Sequence, residues 1–414
     1  MRYIDLFAGA GGFAEGFKRA GFEPVALVES DPAACFTLKT RLSYYYLKEN
    51  DKLDIYVKYL KGEISRNVLY SVIPSHILES VINLSIGDEN NFKIFQVIEK
   101  LIGRKDIDVI IGGPPCQAYS LVGRARDKNG MQEDPRNYLY VQYGRFLKKY
   151  RPKLFIFENV TGLLSAEKGK YFKNIQEDFR DLGYVVEPFI VNANEFGVLQ
   201  NRKRIIIIGW KKDLYLSFGR LTDQSSPAYK VRSILKDLPK LQAGEGKDKY
   251  YEYADGINDY LRFAKIRNGF DVLTQHVARS HTEQDKEIYR IAVEKWKRNK
   301  ERLDYNDLPE RLKTHKNRDA FLDRFKVVAD NILYSQTVVA HIAKDGHYYI
   351  HPDIEQNRSI SVREAARLQS FPDDYYFEGV KEGQNRTNAF KQIGNAVPPL
   401  MVEKIAKKLA GYLK

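Results

Sequence analysis

Cys116 has the surroundings that most suit chemistry. It follows an apolar run, Val109 to Ile111, that reads as a buried strand, and the turn Gly112-Gly113-Pro114-Pro115 that ends and stiffens it. Such a turn presents the thiol at a strand's carboxyl end, where open α/β sheets place their reacting groups. A thiol there is a candidate nucleophile: a small fraction is thiolate at neutral pH, and a nearby cation or helix N-terminus raises that fraction. Taken alone, a cysteine such as Cys116 is more often a buried structural thiol packed as a small hydrophobe. Two more reactive stretches stand at strand ends. Leu154 to Phe157 leads to Glu158-Asn159-Val160, and Gln200-Asn201-Arg202-Lys203-Arg204 precedes the strand Ile205 to Trp210. A carboxyl at a buried strand end can hold a raised pKa and donate a proton. Arg202 and Arg204 are candidate anion contacts, or surface ion-pair partners.

The elements that must position these groups alternate along the chain. Tyr3 to Phe7 is a strand, Ala8-Gly9-Ala10-Gly11-Gly12 a glycine-rich turn, and Phe13 to Ala20 a helix closed by Gly21. The next strand, Pro24 to Val28, ends at Glu29-Ser30. Glu29 lies about 20 residues past Gly9, near the offset at which an acidic residue meets a ribose in dinucleotide-type folds. The turn is not G-x-G-x-x-G, because Ala14 takes the last position, and no Gly-Lys-Ser/Thr follows as in a phosphate loop. Residues 42–84 read as a Tyr- and Lys-rich insertion of surface helices, with helical periodicity from Ile64 to Val81. A strand from Ile82 to Ile86 then carries Asp88 at its tip, and a helix from Phe92 to Leu101 precedes the strand of Cys116.

Beyond Cys116, Gln117 and Ser120 lead into a polar stretch, Val122 to Arg136, with Arg124, Arg126, Lys128 and Arg136. It reads as a mobile basic loop beside the thiol, and an ordinary surface loop has the same composition. The helix Tyr138 to Lys149 follows. From Lys211 the alternation stops. Residues 211–335 are charged, interleave Tyr, Phe and His, and include a helix from Gln284 to Arg302. Thr337 to Ile342 and a return strand to Ile350 read as a hairpin through Lys344-Asp345-Gly346. Ser361 and Glu364 form a capping box for a helix from Val362 to Gln369, and an amphipathic helix spans Leu400 to Leu413. The pattern predicts an α/β fold: a doubly wound, Rossmann-like sheet with a second, smaller domain. Gly9, Glu29, Asp88, Cys116 and Glu158 all fall at strand tips, a convergence stronger than any single motif.

The 414 residues include 67 Lys and Arg against 54 Asp and Glu, a net charge of +13, which suits a polyanionic partner or simply a Lys-rich surface. Two cysteines imply no disulfide framework and point to a reducing cytoplasm. The N-terminus enters a strand directly, with no signal peptide expected, and no apolar stretch approaches the ~20 residues of a membrane span. The histidines lack metal-ligand spacing with cysteine, so no metal is expected.

The motifs resemble those of the DNA (cytosine-5)-methyltransferases of bacterial restriction–modification systems. They are Asp-Leu-Phe-Ala-Gly-Ala-Gly-Gly at 5–12, Gly-Gly-Pro-Pro-Cys-Gln at 112–117, Phe-Glu-Asn-Val at 157–160, Gln-Asn-Arg-Lys-Arg at 200–204, Arg-Glu-Ala-Ala-Arg-Leu-Gln-Ser-Phe-Pro at 363–372 and Gln-Ile-Gly-Asn-Ala-Val-Pro-Pro at 392–399. They occur in the family's order, nearly end to end apart from the insertion and the 211–335 region. Leu199 departs from the proline usual there. The resemblance implies a catalytic and cofactor domain of residues 1–215 with 388–414, and a small domain, 216–387, whose target-recognition region is about 225–335. It implies S-adenosyl-L-methionine as methyl donor, held by Phe7, Ala8, Gly9, Gly11, Gly12, Glu29, Ser30, Asp88, Pro115, Asn395 and Ala396. Phe7 would stack on the adenine, Glu29 hold the ribose hydroxyls, Asp88 meet the adenine amino group and Asn395 complete the pocket. The catalytic set would be Cys116, Glu158, Arg202 and Arg204, acting on C5 of a cytosine flipped out of duplex DNA through a Cys116–C6 adduct. Gln117, Ser120, Arg124, Arg126 and Arg136 would contact the DNA. The C-terminal helix would supply the helix that normally precedes the first strand. A monomer is implied, together with a cognate restriction endonuclease that shares the site without binding stably.

Competing readings remain at the sequence level. A tRNA cytosine-5 methyltransferase of the same fold has a shorter variable region. A catalytically silent DNA-binding regulator would not need Cys116, Glu158 and Arg204 together. An adenine or N4-cytosine methyltransferase would carry an aromatic residue where Cys116 follows the prolines, and a nicotinamide dehydrogenase a different glycine fingerprint.

Overall fold

The apolar runs assemble into one sheet because both of its faces are covered, which is why they read as nearly continuous rather than alternating. In the computed structural model, residues 1–103, 105–115, 138–222, 227–270, 272–383 and 385–413 are described. The strands are β1 (Arg2–Leu6), β2 (Glu23–Glu29), β3 (Val81–Asn83), β4 (Val109–Gly112), β5 (Leu154–Asn159), β6 (Tyr184–Asn192) and β7 (Lys203–Lys211). Their order is β3-β2-β1-β4-β5-β7-β6, with β1 to β5 parallel and β7 antiparallel to β5 and β6. The chain runs outward from β1 through β3 and then restarts at β4 on β1's other side. The crevice at that reversal, past the carboxyl ends of β1 and β4, is where such sheets bind ligands.

Register sets what stands there. Leu6 pairs with Val28 and with Gly112, and Gly112 pairs with Phe157. Phe7, Glu29, Gly113 and Glu158 are therefore one row, each a residue beyond that line. Because β7 runs the other way, Glu158 pairs with Ile206, which brings Arg204 to the same end of the sheet.

Helices α1 (Gly12–Arg19) and α2 (Pro32–Glu49) cover one face together with the chain's last helix. Next come α3 (Leu53–Lys61), α4 (Arg66–Ser71) and α5 (Ser75–Glu79). The other face takes α6 (Asn91–Ile102), α7 (Leu139–Tyr150) and α8 (Lys170–Asp181). Successive strand residues split between these layers: Val109 and Ile111 enter the first core and Ile110 the second. Each such buried aliphatic side chain is worth roughly 1.5–3 kcal/mol against exposure.

The second half holds a two-stranded sheet, β8 (Gly246–Lys247) with β9 (His276–Val277), and helices α9 (Asp259–Phe263), α10 (Glu283–Asn299), α11 (Val362–Leu368), α12 (Arg386–Asn395) and α13 (Pro399–Leu413). Ile288, Tyr289 and Val293 of α10 form a separate core with Leu303, Tyr305, Leu312 and Phe325. The expected capping box at Ser361 and Glu364 is present. Helix α13 packs on α1, where a Cβ on Gly16 would run into Val402.

Three expectations need correction. The 64–81 stretch is not one helix: Pro74 disfavours a helical residue before it, so α4 stops at Ser71 and α5 starts after the proline. Nor are 42–84 mere surface helices. Tyr44, Tyr56, Tyr59, Leu60 and Leu69 are buried in a cluster with Val272 and Tyr376. The 337–350 hairpin is absent, and turns at Ala340–Ala343 and His347–Tyr349 stand in its place. The Val338 N–H donates to Gln200 and the Val338 carbonyl accepts from Arg202, so the ladder groups a hairpin needs are already engaged.

Candidate active site

At the carboxyl ends of β1, β2, β4 and β5 lies a cavity of about 440 Å³. Its floor is the glycine-rich turn. Phe7, Gly9 and Gly11 all have positive φ, at 59°, 53° and 78°. Only glycine takes such angles at little cost, and Phe7 at its angle is a strained position of the kind found at ligand sites. The turn is held from β2: Ala8 N donates to the Val28 carbonyl at 3.0 Å and Gly9 N to Glu29 Oε2 at 2.7 Å. The other Glu29 oxygen accepts from the Ser30 and Asp31 amides, at 2.8 and 2.7 Å. Helix α1 then starts with no side-chain cap, and its first residues, Gly12 and Phe13, line the cavity. Gly12 lets the Val397 carbonyl approach, which brings the α12–α13 connection against the turn.

The opposite wall is Gly113, Pro114, Pro115, Glu158, Val160 and Arg204. A Cβ on Gly113 would lie 2.7 Å from Glu158 Oε2, so the glycine lets the turn sit close over the carboxyl. Asn159, on β5, donates to the Pro114 carbonyl at 3.4 Å and fixes that turn from below. Arg204 Nε lies 2.8 Å from Glu158 Oε1. Burial pushes the Glu158 pKa up, Arg204 and then Arg202 pull it down, and burial prevails. The site thus holds a buried carboxyl whose pKa burial raises, beside a guanidinium, across a cavity from a glycine-rich turn.

Phe7, Ala8, Gly9, Gly12, Glu29, Ser30, Pro115, Glu158, Arg204, Asn395 and Ala396 all line this one cavity. Three expected residues do not. Asp88 is 70% exposed and pairs with Arg145 of α7, and Leu84, Ser85 and Ile86 line the wall instead. Arg202 is buried, 1% exposed, with Nη1 2.7 Å from the Val338 carbonyl and Nη2 3.3 Å from that of Gly394. It braces the segment behind the site rather than facing the reacting groups. Gly11 lies beneath the turn, where a Cβ would meet Leu38 and Tyr375. Cys116, Gln117, Ser120, Arg124, Arg126 and Arg136 lie outside the described residues. Sequence reasoning missed Lys391, whose Nζ reaches Asp31 at 2.9 Å across the cavity edge. Its position one helical turn before Asn395 was the available signal.

The sequence model of the family described as C-5 cytosine-specific DNA methylase matches residues 1–71 and 77–411. The chain belongs to that family. This methylase is 43% identical over 445 residues to the type II methyltransferase M.Bpa9945I of Bacillus paralicheniformis, covering 98% of each chain. It is 33% identical over 430 residues to the type II methyltransferase M.DdeI of Desulfomicrobium norvegicum, covering all of this chain and 89% of that one. Among solved structures, a DNA modification methyltransferase encoded within an Escherichia coli prophage superposes with a TM-score of 0.64 at 22% identity. That match covers 100% of this chain and 99% of the other, and shows the shared fold. The methylase is thus a DNA (cytosine-5)-methyltransferase of the bacterial restriction–modification kind, acting on cytosine in DNA. No described helix is long and apolar enough to cross a membrane.

Proposed function

We propose that this enzyme transfers the methyl group of S-adenosylmethionine to C5 of a cytosine extruded from a specific duplex DNA sequence, through a covalent bond between Cys116 and C6. The observation that carries the reading is the wall opposite the glycine-rich turn. There a buried carboxyl with a raised pKa, Glu158, sits beside Arg204 and directly beneath the Pro114-Pro115 turn that runs into Cys116.

The cavity fits the donor by its chemistry. Its volume lies within the ordinary range for small-molecule sites. The uncapped start of α1 offers amides to a carboxylate, Glu29 Oε2 keeps one lone pair for a ribose hydroxyl, and Phe7 offers a ring face. S-adenosylmethionine supplies, when bound, an electrophilic methyl group.

The protein's own groups make C5 able to take it. The Cys116 thiolate adds to C6, the Glu158 carboxyl gives its proton to N3 and accepts from the 4-amino group, and the ring becomes an enamine nucleophilic at C5. Arg204 holds the base O2. After transfer a base removes the C5 proton, the C6–sulfur bond breaks, the thiolate leaves and N3 returns its proton to Glu158. A cytosine inside a duplex is out of reach, so it must be flipped, at a cost of a few kcal/mol of unstacking. Residues 1–215 with 388–414 form the catalytic part in this reading and 216–387 the part that grips DNA. Purified enzyme incubated with tritiated S-adenosylmethionine and duplex DNA is expected to label C5 of cytosine, and Cys116→Ala to abolish labelling. Undiminished labelling by Cys116→Ala overturns the mechanism.

A further inference from the structure

We propose that Tyr375 is a positioning residue for the glycine-rich turn, and that the segment following α11 thereby sets how tightly the methyl donor is held. The inference rests on reading the cavity as the donor site. Tyr375 is buried, and its hydroxyl donates to the Ala10 carbonyl, the peptide that enters α1. Helix α1 has no side-chain cap of its own, so this hydroxyl fixes the orientation of that peptide from below. Gly11 is matched to it: a Cβ there would lie 2.8 Å from the Tyr375 hydroxyl and 2.7 Å from Leu38. The turn and the tyrosine therefore constrain each other.

The neighbouring residue reaches the same helix through Arg41. Asp374 Oδ1 lies 2.8 Å from Arg41 Nη1, and Arg41 holds both oxygens of Glu15, in the first turn of α1, at 2.7 Å. Tyr44, Tyr45 and Tyr375 enclose the Arg41 guanidinium. Asp373 pairs with Arg367 of α11, which also reaches Asp237. A run of buried, paired charges thus ties α11 and its surroundings to the start of α1, and Tyr375 is its contact with the turn itself. Side chains so enclosed have one arrangement, so displacement of the 373–375 segment moves the cofactor amides with it.

Calorimetric titration of the full-length enzyme with S-adenosylhomocysteine tests this, with steady-state kinetics on DNA and thermal unfolding measured on the same preparations. Tyr375→Phe keeps the ring and removes one hydrogen bond, so Kd for S-adenosylhomocysteine and KM for the donor are expected to rise about fivefold to tenfold. The value of kcat at saturating donor and the affinity for DNA are expected to stay near wild type. Phe325 is buried in the separate core of α10, and Phe325→Leu is expected to lower the unfolding temperature without weakening the ligand. Unchanged ligand affinity in Tyr375→Phe, or equal weakening by Phe325→Leu, overturns the proposal while leaving the donor site standing. Failure of the wild-type enzyme to bind S-adenosylhomocysteine overturns both.

Discussion

At Glu158 two effects oppose each other. Burial penalises the carboxylate, Arg204 at 2.8 Å and Arg202 favour it, and the net pKa is raised. A folded-state pKa above the unfolded one means that the folded chain holds the proton more tightly. Stability from this group is therefore lost as pH rises from the ordinary carboxyl range through the raised value. Glu158→Gln removes that penalty and keeps the shape. It is expected to unfold at pH 8 no earlier than wild type in urea, while kcat falls about 10²–10⁴-fold, as for the loss of a general acid. Loss of fold together with activity would make the Glu158–Arg204 pair a structural element instead. Residue types were legible in the sequence at this scale, but the direction a charged side chain takes was not. Arg202 and Arg204 are two apart on one strand start. Arg202 is turned by the carbonyls of Val338 and Gly394, far away in sequence, and Arg204 by Glu158. Asp88 is likewise drawn outward by Arg145, which no local pattern announces.

Among the elements, sheet strands buried on both faces gave the clearest reading: the apolar runs at 109–112 and 154–159 end within a residue or two of where composition changes. Elements whose backbone is engaged by remote side chains read falsely as regular. Val338 is the clearest case, with its amide and carbonyl both taken by the 200–202 stretch. The amphipathic helix over 400–413 was legible from its periodicity, and it packs beside α1. That packing makes a prediction. Gly16→Ala pushes a methyl into Val402 and is expected to destabilise by about 1–3 kcal/mol. Adding Val402→Ala to that variant is expected to restore part of the loss in chemical denaturation. A Gly16→Ala variant as stable as wild type would mean that the two helices do not meet as described.

Across the whole molecule, buried ionisable groups dominate the response to acid. Burial holds His276 and His281 down to about 4 and His351 to about 3. Each stays neutral in the folded chain while its unfolded counterpart takes a proton near its ordinary pKa of 6.5. Stability is therefore lost as pH falls below about 6.5, by up to ~1.4 kcal/mol per pH unit for each such histidine, and levels off below the folded values. Glu15, held at about 2 by Arg41 and Arg19 against burial, extends the loss from the ordinary carboxyl range downward. Urea midpoints between pH 7.5 and 4.5 are expected to fall steeply, and His276→Gln to shallow the slope. A flat profile would contradict the buried neutral state. The net charge of +13 belongs to the same scale, and DNA affinity is expected to fall steeply with salt.

The covalent step at Cys116 is the centre of the account, and DNA carrying 5-fluorocytosine tests it most directly, because fluorine at C5 cannot leave as the proton does. With S-adenosylmethionine present and a duplex library covering all short sites, the wild-type enzyme is expected to form an adduct with DNA that survives heat and detergent. Cys116→Ala is expected to form none. An adduct that persists in Cys116→Ala, or the absence of any adduct from an enzyme that methylates unmodified DNA, would contradict attack by Cys116 on C6.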